Sequence, residues 1–257
     1  MLKSMLEAGV HFGHQSRRWN PKMAPYIYEE KNGIHILDVV QTIGELEKAR
    51  AAFKSAKNVI FVGTRPQIAP LIEEVAKKSG SHYVNTRWVG GLLTNWSTMS
   101  MCLEQLARLD VRLAEAVPTK GFTKKDILTL SKERERLEKF FGGLRSLKGL
   151  PDLVVIVGQP HERNAVLECQ KLNIPTITLL DSNCDPTSAT YGIPANDPGC
   201  QISARYARLG DWLWRGLPLN HDQRGRKHGN PGTADFLAPG QCPRRLDVGA
   251  RTGPLAH

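Results

Sequence analysis

The residues best able to do chemistry lie in one short run, Asp181-Ser182-Asn183-Cys184-Asp185-Pro186. Two carboxylates with an amide and a thiol between them are the raw material of a metal site or an acid–base pair. The same residue types beside a proline are also ordinary loop formers, because Asp and Asn side chains bond their own backbone. The loop-forming reading is preferred, since no Ser or Cys stands in a nucleophile-elbow context or beside a recognisable base. His11 and His14 could share a metal on a helix, but Gly13 between them argues against a helix there. Thr64-Arg65-Pro66 follows an apolar run where an open parallel sheet would hold a nucleotide, yet it is neither a G-x-G-x-x-G turn nor a Walker loop. No cofactor is therefore expected. Cys102, Cys169, Cys184, Cys200 and Cys242 are odd in number and form no C-x-x-C. They suggest neither a disulfide framework nor a zinc cluster, and they fit a reducing compartment.

Charge points elsewhere. Lys and Arg number 35 against 25 Asp and Glu, a formal charge of +10, which favours a polyanionic partner. Aromatic residues make up only 7%, so a platform of stacked bases is not the favoured mode. The basic residues stand out most in HFGHQSRRWNPK, His11–Lys22. There Phe12 and Trp19 are expected to anchor the segment while Arg17, Arg18 and Lys22 face phosphate. A second unusual run is RWVGGLLTNW, Arg87–Trp96. Gly90-Gly91 forces a turn, and Thr94 or Asn95 can cap a following helix. Its modest reading is a structural corner between sheet and arm; the alternative is that Arg87 reaches an anion. No apolar run approaches the ~20 residues of a membrane span. Met1–Val10 lacks a signal-peptide core, so the protein is expected to work where it is made, in a bacterial cytosol or an organelle that encodes it.

These residues need elements to position them. Met1–Gly9 reads as a short helix with Leu2, Met5 and Leu6 on one face. Two β-like runs, Tyr26–Tyr28 and Ile34–Leu37, flank the turn Lys31-Asn32-Gly33. Asp38 is a helix N-cap for Val39, Val40, Ile43, Leu46, Ala49 and Phe53. Asn58–Gly63 is a buried strand. Pro66 opens a helix that continues to Gly80, and His82–Val84 is a short strand. Leu153–Val157, the helix His161–Leu172 and Thr176–Leu180 follow. Short apolar strands alternating with helices predict a parallel sheet covered on both faces. Between the halves, residues 94–148 carry Leu103, Leu106, Leu109, Leu113 and Val117, a break at Pro118–Gly121, then Ile127, Leu128, Leu130, Leu137, Phe140 and Phe141. This predicts an αα-hairpin projecting as a coiled arm. From Lys120 to Lys148 it has nine Lys/Arg against four Asp/Glu, either a solvated face or a contact surface for RNA or protein. The last 42 residues hold seven Gly and five Pro, which predicts a disordered basic tail over 216–257 that either clamps phosphates or does nothing.

Taken in order, AGVHFGHQSRRWNPKMAPYIY, NGIHILD, FVGT, YVNTRWVGGLLTNW, LEKFFGGLRSLKGLPDLVVIV, NIPTITLLDSNCDP and IPAND resemble one family. It is that of the small-subunit ribosomal proteins numbered two, in bacterial and plastid form. The resemblance spans most of residues 4–197. It implies a flavodoxin-like three-layer α/β fold, with residues 1–93 and 149–215 as the rRNA-binding domain and 94–148 as a protruding coiled-coil hairpin. It implies a non-catalytic place at the head–body junction of the small subunit, in contact with rRNA and neighbouring proteins. In bacteria it implies help in docking the large mRNA-binding protein numbered one. Carried over by position, His14, Arg17, Arg18, Trp19, Asn20 and Lys22, then Arg87, Trp88 and Asn95, are the expected rRNA or neighbour contacts. The chain departs from the family at Gly158-Gln159, at Pro66, and where Pro198-Gly199-Cys200 follows IPAND. Beyond that a helix can resume over Gln201–Leu213. A divergent lineage, a fused extension or a reading-frame error would each explain the tail. Two rivals remain open: an α/β enzyme using Asp181 and Asp185, and an RNA-independent protein adaptor.

Overall fold

The computed structural model describes residues 2–116 and 123–196. The break at Pro118–Gly121, Cys200, Cys242, the helix expected over Gln201–Leu213 and the basic tail 216–257 lie outside the described residues.

Five parallel strands form the main sheet: β4 (Val59–Val62), β5 (His82–Val84), β6 (Leu153–Ile156), β7 (Thr176–Leu180) and β8 (Tyr191–Pro194), in the spatial order β5-β4-β6-β7-β8. Counted from the first of them this is 2-1-3-4-5, the flavodoxin-like order, with its switch point between β4 and β6. Alternate side chains of each strand enter different cores, as the two-residue period requires. Val59 and Phe61 join one face with Leu153, Val155, Ile177 and Ile193. Ile60 and Val62 join the other with Val84, Val154 and Ile156.

The first face is covered by α1 (Leu2–Glu7), α2 (Val39–Ser55) and α3 (Ala69–Ser79), which contribute Met5, Leu46, Ala49, Phe53, Ile72 and Val75. The Asp38 carboxylate begins α2 by accepting from Val40 N at 2.9 Å, the expected cap. The second face is covered by α6 (Arg163–Lys171) and by the near ends of α4 (Trp96–Ala116) and α5 (Lys124–Phe141). A separate antiparallel sheet, β1 (Phe12–Gln15), β3 (Ile34–Leu37) and β2 (Ile27–Lys31) in that order, packs at the end of β7. There Met23 and Leu37 meet Leu180 and Cys184 in a small third core.

Several expectations are corrected. Pro66 does not open a helix: Arg65 O accepts from both Ile68 N and Ala69 N, so Arg65–Ile68 is a turn, and Pro70 holds the first-turn position of α3. Of the α1 residues Leu2, Met5 and Leu6, only Met5 is buried. Strand β1 lies within the basic segment His11–Lys22, and neither it nor β8 is among the expected strands. The inserted helices pair through Arg134 Nε, 2.5 Å from Asp110 Oδ1, but they are not excluded from the core. Leu106 and Phe141 are buried in it, with Met99, Leu103, Leu137 and Phe140 packed against it. Farther out, apolar residues such as Val111 and Leu128 face solvent.

Candidate nucleic-acid interface

The basic segment His11–Lys22 is fastened by the loop that follows β7. Met23, 0% exposed, plugs its C-terminal end into the third core. Asn20 Oδ1 caps the short 3-10 helix Pro21–Tyr26 by accepting from Lys22 N at 3.0 Å, while Asn20 N donates to Ser182 O at 2.8 Å. On β1, His14 N donates to Ser182 Oγ at 2.8 Å. Gly13 beside it is needed, because a Cβ there would stand 3.0 Å from both His35 O and Ser182 Oγ. The His14 ring turns Nδ1 to Asp181 Oδ2 at 2.8 Å, and that carboxylate is fully buried. Its other oxygen accepts from Ser182 N at 2.5 Å. Lys22 Nζ reaches Asp185 Oδ2 at 2.8 Å and Thr187 Oγ1 at 3.2 Å. The Lys22 ammonium, helped by Thr187, holds the Asp185 carboxyl below its usual range.

Asp181 and Asp185 therefore clamp the basic segment onto the end of the sheet. Gln159, one of the departures from the family pattern, holds that loop in turn. Its Oε1 accepts from Asp185 N at 2.8 Å and its Nε2 donates to Asp185 O at 2.9 Å. The apolar anchor is Met23 and not the expected pair, since Phe12 is 47% and Trp19 39% exposed. The Trp19 ring instead lies 5.1 Å from that of His35. Arg17 and Arg18 occupy the exposed turn Ser16–Arg18, and among the described residues neither has an ion-pair partner.

The second run is organised by a residue that the sequence did not flag. Glu168 of α6 is buried, and its carboxylate accepts from Trp88 Nε1 at 3.0 Å, Gly91 N at 2.8 Å, Leu93 N at 2.9 Å and Thr94 N at 3.3 Å. Burial pushes its pKa up, but the combined donors outweigh burial and hold it below the ordinary value. Gly91, at φ +83°, supplies the left-handed turn that aims these N–H groups inward. Trp88 is 5% exposed, so the expectation that it contacts a partner is corrected: the indole is a core donor. Arg87 and Asn95 are on the surface. Asn95 Oδ1 accepts from Thr98 Oγ1 at 3.0 Å in the first turn of α4, whereas Thr94 is drawn to Glu168. The available signal was Glu168 itself, a carboxylate among Ala165, Val166 and Cys169 on the buried face of α6.

At the switch point a third internal carboxylate takes the place of a ligand. Glu162, buried after β6, accepts from Thr64 N at 3.1 Å and from Thr64 Oγ1 just beyond β4. This is where flavodoxin-like folds bind phosphate, and here the backbone donor faces the protein's own anion. The Cys169 thiol is pushed up to about 12 by burial and by Glu168, so it is not a nucleophile. Among the described residues no group of three or more His, Cys, Asp or Glu side chains could hold a metal. On the hairpin, Arg134 and Arg145 are spent on Asp110, while Lys124, Lys125, Lys132, Arg136, Lys139 and Lys148 are exposed and have no ion pair among the described residues.

Arginines held outward on a clamped segment, with lysines along an arm, can neutralise a polyanion without reading bases. Comparison with known proteins points the same way. The family model described as ribosomal protein S2 matches residues 5–209. A small ribosomal subunit protein uS2c of Ostreococcus tauri is 87% identical over 204 residues, covering 79% of this chain and 90% of that protein. The uS2 proteins of Picosynechococcus sp. and Nostoc punctiforme are 44% and 46% identical, over 90% and 84% of this chain and 88% and 83% of their own lengths.

Proposed function

The chain belongs to the ribosomal protein S2 family, and on that premise we propose that it is a non-catalytic structural constituent of the small ribosomal subunit. In this reading it binds small-subunit rRNA and neighbouring ribosomal proteins at the head–body junction, in the ribosome of a plastid or a bacterial cytoplasm. The plastid-type and cyanobacterial relatives support that placement. No described helix is long and apolar enough to cross a membrane. Arg17 and Arg18, exposed and without a counter-ion among the described residues, on a segment held by two carboxylates, carry the reading.

The mechanism is electrostatic and geometric. Cations fixed on the rigid body release counterions from rRNA phosphates, and folded RNA is matched by shape. Arg17, Arg18 and Arg87 are the contacts favoured by exposure. His14, Asn20 and Lys22 are held by the β7 loop and present the segment; Trp19 and Asn95 lie on the same surfaces. A non-catalytic role is supported by the engagement of Asp181 with His14 and of Asp185 with Lys22. Docking of the large mRNA-binding protein numbered one remains part of the reading where the host possesses it.

The test is a sucrose gradient of the tagged protein from its host, at moderate salt, with and without RNase. Co-migration with small subunits that disappears after RNase supports the proposal. Migration as a free protein in both lanes overturns it. Replacing Arg17 and Arg18 with Ala should weaken binding to small subunits. It should also flatten the salt dependence of log affinity by about 1.4 to 1.8, roughly 0.7–0.9 for each phosphate no longer neutralised.

A further inference from the structure

Trp19 stands directly after Arg17 and Arg18, and the chain around these three residues is pinned at both ends. At the start of the turn Ser16 N donates to Gly33 O at 2.9 Å, and beyond it Asn20 N donates to Ser182 O at 2.8 Å. Gly33 belongs to the turn between β2 and β3, and Ser182 to the loop after β7. Two cations and an indole therefore share a short span tied to two separate elements. On the protein side the indole meets His35 of β3, with ring centroids 5.1 Å apart and planes tilted by 44°. His35 is 7% exposed, and neither ring nitrogen has a hydrogen-bond partner among the described residues. The imidazole backs the indole as a flat ring and not through a hydrogen bond. The tilt keeps that contact partial, and 39% of Trp19 stays open to solvent beside the two arginines.

We propose that Trp19 is the stacking platform for one unpaired nucleobase of the RNA, whose flanking phosphates meet Arg17 and Arg18. This rests on the reading of that segment as an rRNA contact. Paired RNA keeps its base faces inside the helix, whereas an unpaired nucleotide presents a base face together with its phosphates. An aromatic side chain takes such a base by stacking, whichever base it is, because each has a π-face. An apolar protein surface would have to desolvate both guanidinium groups to cover the indole, while a nucleotide brings counter-charges with it. Because the span is already fixed, little ordering entropy is lost when the base arrives. A single indole is not the row of stacked bases that the low aromatic content argues against. It adds one contact through a base face to binding that is otherwise carried by phosphates.

Stacking and phosphate neutralisation are separated by salt. Counterion release sets the slope of log affinity against log salt, and a stacked base changes the affinity without changing that slope. The test measures binding of the full chain to small subunits stripped of this protein by a high-salt wash, over a series of salt concentrations. Trp19→Leu should bind about five- to a hundredfold more weakly than the wild type throughout the series, with the wild-type slope. Trp19→Phe, which keeps an aromatic face, should recover most of that loss. Wild-type affinity in Trp19→Leu overturns the proposal. So does a flattened slope, which makes Trp19 a support for the arginines, and so does a Trp19→Phe protein no better than Trp19→Leu. A second measurement uses the unaltered chain and does not depend on either variant folding. A short oligouridylate should quench its tryptophan emission, and an abasic ribose-phosphate strand of the same length should not. Equal quenching by the two strands, or none by either, overturns the proposal. A double variant R17A/R18A that keeps the wild-type slope would overturn the underlying interface instead, so the two failures are distinct.

Discussion

A carboxylate removed from water must be met by donors, and Glu168 is met by Trp88, Gly91, Leu93 and Thr94. Glu168→Ala would leave the buried Trp88 Nε1 and Leu93 N donors without this partner. A loss of about 3 kcal/mol in urea unfolding is expected, with Arg87 chemically untouched. Because this carboxyl titrates lower when folded, its stabilisation is complete above about pH 4.5 and is lost as pH falls through the lower folded value. His11 and His82 act at higher pH: burial lowers both from 6.5, so below that value the unfolded rings bind protons that the folded ones refuse. Denaturant midpoints should therefore decline in two stages on acidification, first below about pH 6.5 and again below about pH 4.5. His82→Asn should shrink the first stage; an unchanged first stage would remove His82 from this account. At this scale the sequence was read unevenly. Arg17 and Arg18 were legible as surface cations. Asp181 and Asp185 were legible as loop residues, but not as partners of His14 and Lys22, because nothing local to either run names a partner so distant in the chain.

Elements were legible where they declare themselves locally. The continuous runs at β4, β6 and β7 are buried on both faces, and Asp38 caps α2 as its residue type suggests. β8 escaped notice because Gly192 and Pro194 break its pattern. Pro194 is tolerated because β8 is the outermost described strand of the sheet, paired only with β7. β1 escaped because its apolar residues do not alternate and its pairing with β3 is interrupted between Phe12 and Gln15. The junction of the inserted helices with the sheet is equally invisible in periodicity, since it depends on a close approach. A Cβ added to Gly143, just after α5, would stand 2.2 Å from Tyr83 O of β5. Gly143→Ala should therefore cost about 2 to 4 kcal/mol by pushing the base of α5 away from β5. Gly149→Ala, with nothing within 4 Å of its added Cβ, is the control and should melt close to the wild type.

At the scale of the whole molecule, the contacts that present the basic segment are among the most distant in the chain. His14 and Ser182 are separated by 168 positions, and Lys22 and Asp185 by 163. The cationic turn thus emerges first during synthesis but cannot be fixed until its clamps have been made. At roughly 5–20 residues per second that interval is on the order of ten to thirty seconds. A chain ending at Leu180 should be cut by trypsin after Arg17 and Arg18 far faster than the whole protein, and equal rates would break this link. If the segment is the rRNA contact proposed above, it can seat only on a chain whose late-made clamps are in place. A truncated or half-made chain carries the same arginines without the contacts that fix them, so on that reading completeness of the fold is itself a condition of binding.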